Sequence, residues 1–241
     1  IGITKAQVPN ENCRQEWAQH IVAKYPHALK SNAEATEAVK LYRTILARQP
    51  DGSVTIVTVG FFTNLSNLLA SGPDEVSALN GTELVKKKVK HLVSMAASLG
   101  KDGKGGSEFN VRVDAGASRK VFEEWPTPVI ISGFDIGEKI LTGIRLINNE
   151  KIQNSPVKDA FTVALKKDGN TVGRNSWDQT AVWVAVRGIE PLFSSRKINF
   201  EITADGKSIP VAGEKFTYLT FYKTPTEVTQ TIEDLMMHTP R

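Results

Sequence analysis

Ser53-Val54-Thr55-Ile56-Val57-Thr58-Val59, closed by Gly60, is a β-branched run without a single charge. Two heavy atoms on Cβ crowd a helical turn, whereas a pleated strand packs them well. A run this apolar reads as a strand covered on both faces, the habit of parallel sheets. Helical patterns lie on either side of it. Upstream, Ser31-x-x-Glu34 is a capping-box signature, and Ala38, Val39, Tyr42, Ile45 and Leu46 follow at helical spacing. Pro50-Asp51-Gly52 ends that helix as a turn. Downstream, Thr63 or Asn64 is expected to cap a short helix carrying Leu65, Leu68 and Leu69, closed by Gly72-Pro73.

The alternation continues along the chain. A helix is expected over Gln15 to Ala23, before Pro26, and Thr82 is expected to cap a lysine-rich helix. His91 to Ala97 and Thr127 to Phe134 read as buried strands, with a helix from Ala115 to Glu124 between them. Ser155-Pro156 starts a helix, proline being favourable at the first helical position. Asn175-Ser176-Trp177-Asp178 opens another helix, Gln179 to Arg187. From Lys197 the period changes to two. Ile198 to Thr203 and Ser208 to Val211 flank Asp205-Gly206, a hairpin turn, and Phe216 to Tyr222 is a third such strand. Thr224-Pro225-Thr226-Glu227 then begins the last helix. The expected fold is α/β: an open, mostly parallel sheet with helices on both faces and a C-terminal antiparallel β-meander, in one domain over residues 1–241.

The totals narrow the function. Basic residues are dispersed except for Lys86-Lys87-Lys88-Val89-Lys90, which reads as the solvated end of a helix, so no nucleic-acid partner is expected. The single cysteine, Cys13, forms no intrachain disulfide and has no catalytic partner pattern. No apolar run approaches the ~20 residues that span a bilayer. The opening Ile1-Gly2-Ile3-Thr4 resembles the tail of a buried strand, so a longer parent protein lacking here its N-terminal strands is expected. The compartment is left open between cytoplasm and export.

Chemistry concentrates in Gly105-Gly106-Ser107-Glu108-Phe109-Asn110, followed by Asp114-Ala115-Gly116-Ala117. Two glycines allow a sharp turn. In an extended segment Glu108 and Asn110 share one side and Phe109 takes the other, toward the core. A carboxylate beside an amide offers acceptors and donors for vicinal hydroxyls; a glycine-rich surface turn before a helix is the competing reading. Asp114 reads as the cap of the helix at Ala115. Asp178 suits a binding role or, equally, a structural acid favoured by the helix dipole, and Trp177 suits core or pocket wall. Asp135, after a strand, reads as a capping or supporting acid. The histidines have no zinc-binding spacing, and no Gly-x-Ser-x-Gly elbow or nucleotide fingerprint occurs.

Val57-Thr58-Val59-Gly60-Phe61-Phe62-Thr63-Asn64-Leu65, Glu108-Phe109-Asn110 with Asp114, and Trp177-Asp178-Gln179-Thr180-Ala181-Val182 together resemble the inosine-uridine nucleoside N-ribohydrolases. The resemblance implies hydrolysis of the N-glycosidic bond of ribonucleosides with a bound calcium ion (Ca2+). It implies that Asp178 gives calcium a side-chain oxygen and Val59 a backbone carbonyl. Glu108 and Asn110 would grip ribose hydroxyls, with Asp102 a looser match to another ribose contact. A nucleoside partner and a homo-oligomer, dimer or tetramer, are also implied. The family's aspartate cluster, Asp-x-Asp-x-x-x-Asp-Asp, carries the general base and most of the calcium carboxylates. It is not in this sequence and is expected upstream of Ile1, so this stretch alone is expected to bind calcium poorly and catalyse little. Where members with a leaving-group acid often have histidine, this chain has Trp177, which has no proton to give at useful pH and is expected to stack on the base. A non-catalytic relative that binds a nucleoside or ribose is the alternative, and a structural or interaction protein on the same scaffold a third.

Overall fold

The computed structural model describes residues 16–238, together with the backbone of Gly2 and Ile3. Cys13, the polar loop Lys5–Glu11, and Ile1 and Thr4 of the expected opening strand lie outside the described residues. The first half of the chain runs β1 (Gly2–Ile3), α1 (Glu16–Lys24), β2 (Thr36–Glu37), α2 (Ala38–Arg48), β3 (Val54–Thr58), α3 (Thr63–Ala70), α4 (Gly81–Lys88) and β4 (Val89–Met95). Next come β5 (Gly106–Ser107), α5 (Phe109–Val113), α6 (Ala115–Glu124), β6 (Val129–Ser132), α7 (Phe134–Gly137), β7 (Leu141–Thr142) and α8 (Ile144–Ile147). The last third holds α9 (Pro156–Lys167), β8 (Arg174–Asn175), α10 (Trp177–Arg187), β9 (Phe193–Ile202), β10 (Lys207–Phe221) and α11 (Pro225–Met236).

Strands β3, β4, β6 and β10 lie side by side in parallel. Ile56 sits beside Leu92, Leu92 beside Val129, and Thr217 beside Ile130. β9 runs antiparallel along β10, and the short β5 pairs antiparallel with the start of β10. Side chains alternate across a strand, so neighbours on β4 serve opposite cores. Leu92 packs in a cluster with Leu46 of α2, Leu68 of α3 and Phe122 of α6. Val93 packs with Ala181 and Val184 of α10 and Ile232 of α11. Both faces are therefore covered, as the β-branched run at Ser53–Val59 requires.

Four local expectations change. The C-terminal meander is a two-stranded hairpin. Ser208–Val211 and Phe216–Phe221 are one strand, β10, because both segments pair with β9, with a bulge between Val211 and Phe216 where a reversal was expected. Ser31-x-x-Glu34 closes only a 3-10 turn at Asn32–Glu34; α2 starts later, where the Glu37 carboxylate accepts the Lys40 N–H at 2.8 Å. Thr63 lies inside α3, and its hydroxyl donates to Asp114. Asn80 rather than Thr82 caps α4, in a reciprocal box with Glu83, while the Thr82 hydroxyl donates to the Leu69 carbonyl. The expected caps of α9 and α11 stand: Ser155 accepts from the Lys158 N–H, and Thr224 and Glu227 form a capping box.

One ionic anchor fixes the turn between α3 and α4. Arg43 of α2 is 1% exposed. Its Nε and Nη2 hold the two oxygens of Asp74 at 2.6 and 2.9 Å. It also donates to the Ser71 hydroxyl and to the Ser77 and Leu79 carbonyls. No described helix is long and apolar enough to cross a membrane.

Candidate active site

In open α/β sheets ligands bind beyond the carboxyl ends of the strands. A cleft of about 840 Å³ lies there, bordered by residues that follow β3, β4 and β6 and by α9 and the start of α10.

Its polar wall comes from the glycine-rich segment. Gly105 has φ +117°, and a Cβ there would lie 2.6 Å from the Ser208 carbonyl oxygen, so only glycine fits the turn onto β10. Beyond β5 the backbone does not stay extended. The Glu108 carboxylate accepts the N–H of Asn110 at 2.9 Å and of Val111 at 3.1 Å, and this cap starts α5. Helical geometry changes the facing predicted for an extended segment. Glu108 and Asn110 are still buried against the cleft, but Phe109 is 38% exposed and lines the cleft rather than the core. It packs on Phe61, with the Arg112 guanidinium over its ring.

The Asn110 amide donates through Nδ2 to the Met95 carbonyl at 3.1 Å, which orients its Oδ1 as the free acceptor. Glu108 is 4% exposed. Burial pushes its carboxyl up to about 7; the N–H groups of Asn110, Val111 and Ala97 pull it down, and the nearby Asp178 charge adds to the rise. Ala97 holds φ +68°, a left-handed conformation costly for a non-glycine residue. From there it joins the walls: its N–H points at Glu108, and its carbonyl accepts the Phe134 N–H at 2.9 Å. Asp114 accepts the Ala117 N–H at 3.1 Å, capping α6 as expected, and the Thr63 hydroxyl ties it to α3.

The aromatic wall is built on α7, just after β6, and α10. Phe134 and Trp177 stack, centroids 5.3 Å apart and planes at 29°, and the Trp177 indole N–H donates to the Phe134 carbonyl at 3.0 Å. Thr180 anchors this corner by donating to the Trp177 carbonyl at 2.6 Å and meeting the Ser132 hydroxyl at 2.6 Å. Beneath it, Tyr218 donates to Asp135, a supporting acid. A Cβ on Gly133 would lie 1.8 Å from the Tyr218 hydroxyl oxygen, which leaves glycine as the residue that lets β6 pass. Trp17 of α1 and Phe161 of α9 complete the aromatic lining.

Asp178, in the first turn of α10, opens to the same cleft. Burial raises its carboxyl and the Arg174 charge lowers it. Val59 also lines the cleft. Of the residues singled out from sequence, the structure thus brings Val59, Glu108, Asn110, Trp177 and Asp178 together. Asp102 is not among the cleft-lining residues; it lies in an exposed turn, with its carboxylate accepting the Lys104 N–H at 3.1 Å. Trp17, Phe134, Phe161 and Arg174 were missed, because nothing in their local sequence marks them.

Calcium takes about 6–8 oxygen ligands. Among the described residues no group of three or more His, Cys, Asp or Glu could hold a metal. Asp178 and Val59 share the cleft, but both Glu108 oxygens are already engaged by backbone N–H groups. The described residues do not make a calcium site by themselves.

The chain matches the model of the inosine-uridine preferring nucleoside hydrolase family over residues 4–233. It is 26% identical over 176 residues to an uncharacterized protein of Schizosaccharomyces pombe, covering 68% of this chain and 52% of that one. It is 33% identical over 100 residues to the pyrimidine-specific ribonucleoside hydrolase RihA of Klebsiella pneumoniae, covering 41% of this chain and 28% of that one. The matched stretches are thus about half and about a quarter of the length of these curated relatives. Its fold resembles that of the purine-preferring ribonucleoside hydrolase from Gardnerella vaginalis, with a TM-score of 0.66 at 16% identity, covering 98% of this chain and 79% of that one. With a family match that runs through every wall of the cleft, the chain belongs to the inosine-uridine preferring nucleoside hydrolases.

Proposed function

We propose that the cleft binds a ribonucleoside and serves hydrolysis of its N-glycosidic bond to ribose and free base. The observation that carries this reading is the convergence of Glu108, Asn110, Asp178 and Trp177 on one cleft in a member of this family. The polar wall is suited to the sugar. The free Asn110 Oδ1 and the remaining lone pair of Glu108 accept ribose hydroxyls. The two carboxylates, Glu108 and Asp178, face a sugar ring that turns cation-like as the bond to the base breaks, so their charge favours that state. The aromatic wall is suited to the base. The Trp177 N–H is committed to Phe134, so Trp177 offers a flat face and no proton. The family is generally metal-dependent, but the steps proposed for this chain rest on its own side chains.

Trp177→Ala is expected to weaken binding of inosine or uridine roughly tenfold while changing ribose affinity little, since one base–aromatic stack is worth about 1–3 kcal/mol. Titration calorimetry with nucleoside and ribose separates the two, and an unchanged nucleoside affinity would refute the stacking role.

The direct test of function is reducing-sugar release from inosine and uridine, with and without added calcium. Release that saturates with nucleoside supports the proposal. Saturable nucleoside binding without release, with and without calcium, by a protein that carries the family's aspartate cluster would replace it with the reading of a non-catalytic ribose or nucleoside binder.

A further inference from the structure

Cleavage of the bond leaves its electron pair on the base. Water's oxygen bonds to C1′, and one of its protons ends on the base nitrogen. Until that proton arrives the base carries negative charge. An acid at position 177 could neutralise it, but Trp177 cannot.

The cleft offers two cations, Lys167 and Arg174. Lys167 is committed to the Glu16 carboxylate at 2.6 Å. The Arg174 side chain has no hydrogen bond or salt bridge among the described residues, although its guanidinium carries five N–H donors and the Asp178 charge lies near it in the cleft. It lies over the Trp17 ring, 5.5 Å from the centroid, at the aromatic side of the cleft. It is also aimed. β8 pairs with β7 in the register Arg174 to Thr142, and the Asn175 amide holds the Glu138 carbonyl at 2.7 Å. A flat ring stacked on Trp177 would share the cleft with this guanidinium.

Resting on the nucleoside-hydrolysis reading, we propose that Arg174 recognises negative charge on the departing nucleobase and so stabilises the leaving group by electrostatics instead of proton donation. A phosphate would satisfy the same donors, but the aromatic surroundings favour the charged ring.

The test uses the wild-type chain and two variants, Arg174→Gln and Arg174→Lys, with folding checked by circular dichroism. Affinities are measured near neutral pH for uracil, which is neutral there, and 5-nitrouracil, which is ionised. Wild type is expected to prefer the anion by about tenfold, a typical gain from one partly desolvated charge contact. The preference is expected to collapse toward equality in Arg174→Gln and to survive in part in Arg174→Lys. Using the ratio of the two affinities cancels any general loss of binding. A preference that persists in Arg174→Gln, or that wild type never shows, overturns the role of Arg174 while leaving the nucleoside reading intact. Failure of wild type to bind uridine or either base overturns that reading, and the inference with it. Arg174-dependent preference for uridine 5′-monophosphate over uridine overturns the inference in favour of a phosphate contact.

Discussion

Arg43→Ala is expected to lower the melting temperature by roughly 10 °C, since emptying the site of a large buried side chain costs about 2–5 kcal/mol and each kcal/mol moves a domain of this size by about 2–4 °C. The reason is not the ion pair alone. Arg43 serves five acceptor atoms on the turn that joins α3 to α4: both Asp74 oxygens, the Ser71 hydroxyl and two carbonyls. Alanine leaves these acceptors facing a cavity in place of a guanidinium. A double variant, Arg43→Met with Asp74→Asn, removes both charges and keeps the volume, so it is expected to recover part of the loss. If the single variant melts within a degree or two of wild type, the anchor has been misread. The pair also sets an acid limit. Arg43 and the nearby backbone N–H groups hold the Asp74 carboxyl down at about 2. A depressed carboxylate adds stability above its unfolded value near 4 and loses it as pH falls toward about 2. Wild type should therefore lose stability more steeply than the double variant over that interval in acid-induced unfolding.

What the sequence disclosed depended on how local the cause was. The run Ser53–Val59 declares a strand because β-branching acts within each residue, and β3 lies where that reading puts it. The caps of α6, α9 and α11 were legible for the same reason: donor and acceptor sit within three residues of each other. The hairpin was misread because Ala212-Gly213-Glu214-Lys215 resembles a turn. Whether the chain reverses or bulges there is decided by β9, which continues to pair on the other side. The 3-10 turn at Asn32–Glu34 shows the same limit, since a capping pattern does not say whether a helix follows. In the cleft, the motif positions Glu108, Asn110, Trp177 and Asp178 were visible because resemblance carried them. Trp17 and Arg174 were not, since α1 reaches the cleft only by packing on α9, through contacts such as Lys24 and Tyr25 on Asp159. No pattern within nine residues of α1 encodes that distant partner.

Glu108→Gln is expected to weaken ribose and nucleoside binding roughly 10–100-fold, the range set by about 1.5–3 kcal/mol for a hydrogen bond to a charged group. The effect follows from the bonds the carboxylate already makes. A carboxylate accepts at about four lone-pair positions. Asn110, Val111 and Ala97 supply N–H groups to Glu108, which leaves one position for a ligand hydroxyl. Glutamine has a single oxygen for those donors, and its NH₂ would face an amide N–H of its own helix turn. The wild-type site should also respond to pH, because burial raises the Glu108 carboxyl to about 7. Beside the Asn110 Oδ1 the ionised form presents acceptors alone, which suits a ligand that donates from its hydroxyls. Affinity for ribose should therefore rise as pH climbs through about 7, and Glu108→Gln should flatten that rise. Stability should move the other way. A carboxyl whose folded value is raised keeps its proton in the native state after the unfolded chain has released it. Its contribution is full below the unfolded value near 4.3 and is lost as pH rises to about 7. Ligand binding and thermal stability should thus show opposite slopes across the same interval in wild type, and neither slope in Glu108→Gln. A wild-type ribose affinity that is flat with pH, or that falls as pH rises, would mean that Glu108 serves only as the cap of α5 and does not meet the sugar.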